Sequence, residues 1–339
     1  MSTRRARWIA VVAISITALA VVGATAAIAL QRNAARAGET VTAASASPAP
    51  GWATGDRIVF RSTAPGADYG LVASVPLDDP QGPRATSGVA CDRVDASAHE
   101  FACLWSERGI VPAYRAALYE DSGRPMQEWS LPGVPSRTRL SDDASLVATT
   151  SFVTGHSYAA VGFSTQTVVR RTSGEVIGDL EQFTLLIGGQ PTAPVDRNFW
   201  GVTFADDTTF YATAQTGGQT YLVEGDLKAR TLTAIAKNVE CPSLSPDGSR
   251  IAFKRVESGS GPTVHWTPSI LDLATKQVRT LPESRSVDDQ IEWLDDSTIL
   301  YGMPRATGDS DVWALRADGS QPPELFLEHA WSPSVVRSS

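Results

Sequence analysis

Adjacent aspartates are the residues of this sequence best suited, by type and spacing, to bind a cation. They occur as four pairs: Asp142 and Asp143, Asp206 and Asp207, Asp288 and Asp289, and Asp295 and Asp296. A calcium site needs about six to eight oxygen ligands around one point, and no segment has the spaced acidic pattern of an EF-hand loop. Aspartate also favours tight turns through local hydrogen bonds. We therefore interpret three of the pairs, all except Asp288 and Asp289, as hairpin-turn residues, and we predict no metal-binding residues.

Nucleophilic and acid–base motifs are the second kind of chemistry to consider. The histidines are His99, His156, His265 and His329, and no two are close enough in sequence to form a short metal-binding motif. The Gly-x-Ser-x-Gly elbow of a prolyl-peptidase-type hydrolase is absent from the sequence. We therefore interpret the histidines as surface or packing residues. We also predict that the chain is not an enzyme, with no catalytic residue and no cofactor.

A repeated strand–turn–strand unit positions these residues. Its clearest copy spans residues 244–253, where an apolar strand end precedes a Pro-Asp-Gly turn and a second alternating strand. The same frame starts at Val94, Leu140, Phe204 and Trp293. These spacings are close to the roughly 40–50 residues of a propeller blade. The longest interval, between Leu140 and Phe204, predicts an insertion near residues 181–198.

The two ends of the repeat region predict how the ring closes. Residues 331–334 are similar to the first half of the unit, and residues 56–60 are similar to its second half. Five whole units and this split unit predict an all-β, six-bladed β-propeller of four-stranded antiparallel blades. The N- and C-terminal strands would share one blade, because closure leaves no exposed edge in the ring.

Two segments carry a resemblance to a known family. Residues 245–253 (SPDGSRIAF) and 311–320 (DVWALRADGS) resemble the two halves of the TolB-type, WD-like propeller repeat. The chain is similar in this respect to actinobacterial TolB-like proteins of unassigned function. The resemblance implies a six-bladed propeller over about residues 55–337. TolB proteins are periplasmic and bind partners of an envelope complex, but their extra N-terminal domain has no counterpart here, so those partners are not implied.

The N-terminus has the pattern of a targeting segment. Arg4, Arg5 and Arg7 precede the uncharged residues 8–30, and a helix needs about 20 apolar residues to cross a bilayer. We predict a signal-anchor or signal peptide over residues 1–30, a flexible linker over 31–54 and the propeller over 55–339. Residues 35–37 offer a cleavage site, so the alternatives are a single-pass protein with the propeller outside the cytoplasm and a secreted one.

Two of the three cysteines flank one predicted turn. Aligning the repeats places Cys91 and Cys103 on adjacent antiparallel strands, within reach of each other if the hairpin between them is tight. We predict a Cys91–Cys103 disulfide. Two free thiols, or pairing of either cysteine with Cys241, remain as alternatives.

The bulk properties and the missing motifs together favour a docking function. The chain has 339 residues, 42% of them hydrophobic, and a formal net charge of -8, which argues against a nucleic-acid partner. We predict a protein-interaction or scaffolding module with a protein partner in the cell envelope, attached to the membrane through residues 8–30. The alternatives are a carbohydrate-active hydrolase of the envelope and a small-ligand-binding propeller, both using carboxylates in the channel.

Overall fold

The computed structural model describes residues 48–153 and 164–338. The predicted segment 1–30 and most of the predicted linker lie outside the described residues. Within the described ranges, no helix is both long and apolar enough to span a bilayer.

The described residues form 26 strands and two short 3₁₀ helices, Leu180–Gln182 and Gly261–Thr263. In chain order the first strands are β1 (Arg57–Ser62), β2 (Leu71–Pro76), β3 (Ala85–Ala90), β4 (Arg93–Ala96), β5 (Glu100–Glu107), β6 (Ala113–Glu120), β7 (Pro125–Leu131), β8 (Val134–Leu140), β9 (Leu146–Val153), β10 (Ser164–Arg171), β11 (Val176–Asp179), β12 (Thr184–Ile187) and β13 (Gln190–Thr192). The others are β14 (Asn198–Phe204), β15 (Thr209–Thr216), β16 (Gln219–Asp226), β17 (Thr231–Lys237), β18 (Glu240–Leu244), β19 (Arg250–Ser258), β20 (His265–Asp272), β21 (Val278–Thr280), β22 (Glu292–Asp295), β23 (Thr298–Pro304), β24 (Ser310–Arg316), β25 (Glu324–Leu327) and β26 (Ala330–Val336).

These strands form six sheets, which are the blades of a propeller. Blade 1 has the order β26-β1-β2-β3, blade 2 is β4–β7, blade 3 is β8–β11, blade 5 is β18–β21 and blade 6 is β22–β25. Blade 4 is β14–β17 with β12 and β13 added at its outer edge. The prediction of six four-stranded antiparallel blades is therefore confirmed, except that blade 4 has six strands.

The ring closes through the two ends of the described chain. β26 pairs antiparallel with β1, so that Arg57 lies opposite Val336 and Ser62 lies opposite Ala330. The C-terminal strand is thus the first strand of blade 1, and the N-terminal segment supplies the other three. This arrangement confirms the closure predicted from the split repeat.

The insertion lies where the spacing of the repeat predicts it. The helix Leu180–Gln182 and the hairpin of β12 and β13 come between blades 3 and 4. β12 pairs in parallel with β17, which is how the hairpin extends the outer edge of blade 4. Pro191 in β13 removes one backbone donor, which makes this new edge a poor template for further strand pairing.

The end of the predicted linker belongs to the propeller instead. Trp52 is 2% exposed, and its ring packs edge-on against Phe101 at 5.6 Å between centroids. Its indole N–H donates to the carbonyl of Asp121, and its own carbonyl accepts from Ser74. A large aromatic side chain stabilises a fold by burial, so Trp52 packs as part of the propeller although it lies inside the span predicted as linker.

The predicted Cys91–Cys103 disulfide is present, with 5.4 Å between the two Cα atoms. The strand register that led to it is wrong, because Cys103 lies opposite Val94 and β4 begins only at Arg93. Cys91 lies in the connection from β3, where its N–H donates to the carbonyl of Gly70. The bond therefore ties blade 2 to the connection from blade 1. Cys241 is a buried free thiol.

Candidate functional site

The first strand of each blade lines the central channel. β26, β4, β8, β14, β18 and β22 contact one another in that order and form a closed ring. In a propeller the first strands surround the axis, so their side chains decide what the channel contains.

Side chains of these strands bind the backbone of the next blade. Ser332 and Ser334 of β26 each exchange hydrogen bonds with the backbone of β4, at Val94 and Ala96. Thr203 of β14 accepts from the backbone N–H of Leu244 at 3.1 Å. Because unpaired backbone groups are costly when buried, these contacts join neighbouring blades where no sheet can.

An ion-pair network crosses the channel at Arg139. This residue of β8 contacts the carboxylates of Asp95 on β4, at 3.3 Å, and of Glu292 on β22. It also donates to the carbonyl of Ile291 at 3.3 Å. Blades 3 and 6 are three positions apart in a ring of six, so the Arg139–Glu292 contact spans the axis.

Both carboxylates also have backbone partners. Asp95 accepts from the N–H of Leu140 at 2.6 Å, and Glu292 accepts from the N–H of Val335 at 3.2 Å. Burial, opposed by Arg139 and assisted by the charge of Glu292, raises the pKa of Asp95 to about 7. With these partners, the two carboxylates act as inter-blade hydrogen-bond acceptors.

A second ion-pair layer lies beside the first. Asp289 pairs with Arg93 at 3.2 Å and accepts from the N–H of Gly302, and Asp288 pairs with Lys254 at 2.5 Å. Gly302 leaves the room for this, because a Cβ there would lie 2.5 Å from the Asp289 carboxylate. Asp288 and Asp289, the pair outside the repeated hairpin turn, therefore form ion pairs with cations from other blades.

The remaining aspartate pairs do lie in turns. Asp143 accepts from the N–H of Ser145, Asp206 from that of Thr208 and Asp295 from that of Ser297, at 2.7–3.0 Å. These bonds confirm the turn interpretation for three of the four pairs. Among the described residues, no group of three or more His, Cys, Asp and Glu side chains is placed to hold a metal ion.

The histidines do not meet in one place. His329 lies 2.6 Å from Asp309, measured from Nδ1 to the carboxylate oxygen, and its backbone φ is +48°. The carbonyl of His99 accepts from the N–H of Asp121. His156 lies outside the described residues.

The channel opens at one end into a cavity of about 620 Å³, which we call the acidic mouth. Its floor is the network of Arg139. More carboxylates than cations line the acidic mouth. The carboxylates are Asp95, Asp142, Glu292, Asp295 and Asp296, and the cations are Arg139 and Arg337. Asp142 and Asp296 are exposed. At the other end is a cavity of about 290 Å³ lined by Arg61, Arg93 and Trp331 among others.

Comparisons with known proteins bear on the fold. No protein-family model matches the chain, and no curated protein matches it either. Among solved structures, TolB from Acinetobacter baumannii is similar with a TM-score of 0.57 and 18% identity, covering 86% of this chain and 68% of that one. The described domain has the TolB propeller fold. At this identity the likeness concerns the fold alone.

A second similar structure corrects the prediction that the chain is not an enzyme. A Mycobacterium tuberculosis puromycin-hydrolysing peptidase matches with a TM-score of 0.50 and 12% identity, over 79% of this chain. The match covers only 43% of that peptidase. Because the same fold occurs within an enzyme, the propeller and the missing motifs do not exclude catalysis, which corrects that prediction.

This correction does not support the alternative that the chain is a carbohydrate-active hydrolase. It required channel carboxylates that are available to a substrate. Asp95 and Glu292 are instead bound to Arg139 and to backbone N–H groups of adjacent blades. What the sequence could not reveal is this network, since its members come from separate blades and share no local motif.

Proposed function

We propose that this chain is a membrane-tethered, extracytoplasmic protein-interaction module whose partner inserts a cationic segment into the acidic mouth. The observation that carries the proposal is the charge of that mouth, which has five carboxylates and two guanidinium groups around one cavity. Complementary charge speeds association and selects partners.

The shape of the acidic mouth supports a protein segment as the ligand. A cavity of about 620 Å³ is large enough for a few side chains, and the turns around it present backbone and carboxylate acceptors. The network of Arg139 closes its floor, so a segment would enter and stop rather than pass through. Propeller loops of this kind are common docking surfaces because a rigid scaffold holds them.

The tethering part of the proposal rests on the N-terminal sequence. Arg4, Arg5 and Arg7 before the uncharged residues 8–30 favour an anchor over residues 1–30 with the propeller of residues 55–339 outside the cytoplasm. Reporters fused after Ser339 test this orientation. A fusion to alkaline phosphatase should be active and a fusion to green fluorescent protein, exported through the general secretory route, should be dark. An inactive alkaline phosphatase fusion together with a fluorescent green fluorescent protein fusion would contradict this orientation.

Site-specific photocrosslinking tests the docking site. A photoreactive residue in place of Asp142 should crosslink to one envelope protein, and the crosslink should weaken as salt is raised, because exposed charges are screened. Asp296→Lys in the same mouth should abolish it. Asp207→Lys is the matched control: this aspartate is also exposed in a turn but does not line the mouth. Equal loss with both variants, or no crosslink at residue 142, would contradict the proposal.

A further inference from the structure

Two large aliphatic side chains are exposed side by side at the tip of one hairpin. Ile110 is 104% exposed and Val111 is 83% exposed, in the connection between β5 and β6. Gly109 precedes them and Pro112 follows, so residues 109–112 carry no charge, and we call them the apolar tip. Adjacent aliphatic side chains are unfavourable in water and are typical of a surface that another apolar phase covers.

Further exposed aliphatic residues lie at the same end of the neighbouring blades. Val134 at the start of β8 is 47% exposed, and Val195 just before β14 is 77% exposed. The last residues of these two strands, Leu140 and Phe204, line the acidic mouth, so the strands begin at the opposite end. The hairpin of β5 and β6 is at that opposite end too, because β5 runs antiparallel to β4, whose last residue also lines the mouth.

Four other exposed hydrophobic residues serve as a comparison. Met126, Val176, Val278 and Leu325 lie one each on the outermost strands of blades 2, 3, 5 and 6. Single exposed hydrophobic residues of this kind are ordinary on protein surfaces. The apolar tip differs from them because its two residues are adjacent, project from a turn and share one end of the propeller with Val134 and Val195.

The charges at the two ends of the propeller favour different surroundings. Glu107 beside the apolar tip is paired with Arg115 at 3.5 Å, and Arg108 beside it is exposed. An arginine next to an apolar segment reaches lipid phosphates while its neighbours contact the acyl chains. The acidic mouth has five carboxylates against two guanidinium groups, so anionic phosphates repel it.

The length of the N-terminal segment permits either end to face a membrane. The described chain begins at the outer strand of blade 1, where the N–H of Ala49 donates to the carbonyl of Thr86 at 2.8 Å. Residues 31–47 precede it, and an extended chain spans about 3.3–3.6 Å per residue, so this segment reaches up to about 55 Å. The eight-residue strands β5 and β6 are each about 27 Å long. The surface of each end therefore decides which one faces the lipid.

We propose that the apolar tip inserts into the phospholipid surface of the membrane that holds the chain, and that the acidic mouth faces away from it. Ile110 and Val111 enter the upper acyl region, Arg108 binds lipid phosphates, and Val134 and Val195 lie on the side that faces the lipid. Two aliphatic side chains bind a bilayer weakly on their own, but a tether gives them a high effective concentration. The inference rests on the tethering part of the proposed function.

Quenching of a fluorescent label by lipids tests this contact. The full-length chain with Val111→Cys carries an environment-sensitive thiol dye and is reconstituted in vesicles of phosphatidylcholine and phosphatidylglycerol. The native cysteines do not react, because Cys91 and Cys103 are bonded and Cys241 is buried. The emission should shift to shorter wavelength, and nitroxides on the acyl chains should quench it. The same dye on Asp207→Cys is the control, since this exposed residue lies in the turn after β14, at the mouth end, and should be neither shifted nor quenched.

A second substitution shows whether the apolar side chains cause the insertion. Ile110→Asp in the chain labelled at residue 111 should reduce quenching to the level of the label at residue 207, because a carboxylate is costly to move out of water. Val176→Asp is the matched control. Val176 is 51% exposed on the outermost strand of blade 3, and its replacement should leave quenching unchanged.

Flotation of the same vesicles separates this inference from the tether. A chain that floats with the vesicles but is unquenched at residue 111 is tethered without inserting its tip, which would overturn the inference alone. A chain that does not float contradicts the tether and the inference together. Equal quenching at residues 111 and 207 would also overturn the inference, because it shows no preferred orientation. So would a shift at residue 111 that increases with protein density and is insensitive to the nitroxides, because it shows contact between copies of the chain.

Discussion

Arg139 on blade 3 contacts Glu292 on blade 6, directly across the channel of the propeller. The side chains of Arg139, Asp95 and Glu292 are only 11%, 7% and 12% exposed. One guanidinium group thus pairs with two buried carboxylates, which also accept hydrogen bonds from the backbone of neighbouring blades. The ring is held at its centre by charge as well as by the pairing of β1 with β26.

Removing the guanidinium group of Arg139 should lower the unfolding free energy of the domain. Arg139→Met leaves Asp95 and Glu292 buried without their counter-charge, and breaking a buried pair in this way costs about 3–5 kcal/mol of unfolding free energy. Urea denaturation measures this loss. The triple variant Arg139→Met, Asp95→Asn, Glu292→Gln should recover part of it, because no buried charge remains. Arg124→Met, at an exposed ion pair with Glu120, is the control and should not change the midpoint. Equal midpoints for Arg139→Met and the wild type would contradict the role of the network.

The stability of the domain should depend on pH through Asp95. Burial raises the pKa of Asp95 to about 7 in the folded state, opposed by Arg139 and assisted by the charge of Glu292, whereas an unfolded aspartate titrates near pH 3.9. Between about pH 4 and 7 the folded state therefore binds more protons, so unfolding free energy falls as pH rises, by up to about 1.4 kcal/mol per pH unit. The stabilisation that protonated Asp95 gives the folded state is fully present below about pH 4 and is lost above about pH 7.

Asp95→Asn isolates this effect. The asparagine cannot ionise, so the difference in unfolding free energy between wild type and variant should change across about pH 4–7. The unfolding free energy of the wild type should fall relative to that of the variant as pH rises. Urea titrations at several pH values give this difference. Parallel curves for the two proteins would show that Asp95 does not titrate in this window.

The fold was largely predictable from the sequence because its signals are local. The Pro-Asp-Gly turn at residues 246–248 and the alternating strand after it specify one hairpin, and the same chemistry recurs in other blades. Gly248 has a φ of +69°, which a glycine adopts without strain. The split repeat at the two ends was sufficient to predict the pairing of β1 with β26.

The channel network was not predictable by the same reasoning. Arg139 and Glu292 are separated by 153 residues, and neither belongs to a motif. Asp288 and Asp289 lie outside the repeated turn, and the loop before blade 6 carries them to Lys254 and Arg93. Which charges meet at the axis follows from closure of the ring and not from spacing along the chain.

Deleting the C-terminal strand should open the ring. A chain lacking residues 328–339 loses the pairing of β26 with β1 and the hydrogen bonds of Ser332 and Ser334 to β4. The loss should be comparable with the whole stability of a typical domain, about 5–15 kcal/mol. Circular dichroism against temperature measures it. Removing only Ser338 and Ser339, of which Ser338 binds the exposed Asp56, is the control and should leave Tm unchanged. An unchanged Tm in the longer deletion would reject closure as a source of stability.

The disulfide should make a moderate contribution to stability. The Cys91–Cys103 bond closes a loop with a sequence separation of 12, and bonds that close such short loops contribute at most about 3 kcal/mol. Cys91→Ala with Cys103→Ala should lower the unfolding free energy by up to this amount, measured in urea without reductant. Both cysteines are buried, so part of the loss reflects packing. Adding reductant to the wild type separates the contribution of the bond from that of packing, since it breaks the bond and keeps the sulfur atoms.

Titration of the unfolded, unreduced wild type should find one free thiol, and mass spectrometry should map it to Cys241. Three reactive thiols would show that the bond does not form, whereas one thiol mapped to Cys91 or Cys103 would show that Cys241 is a bonding partner.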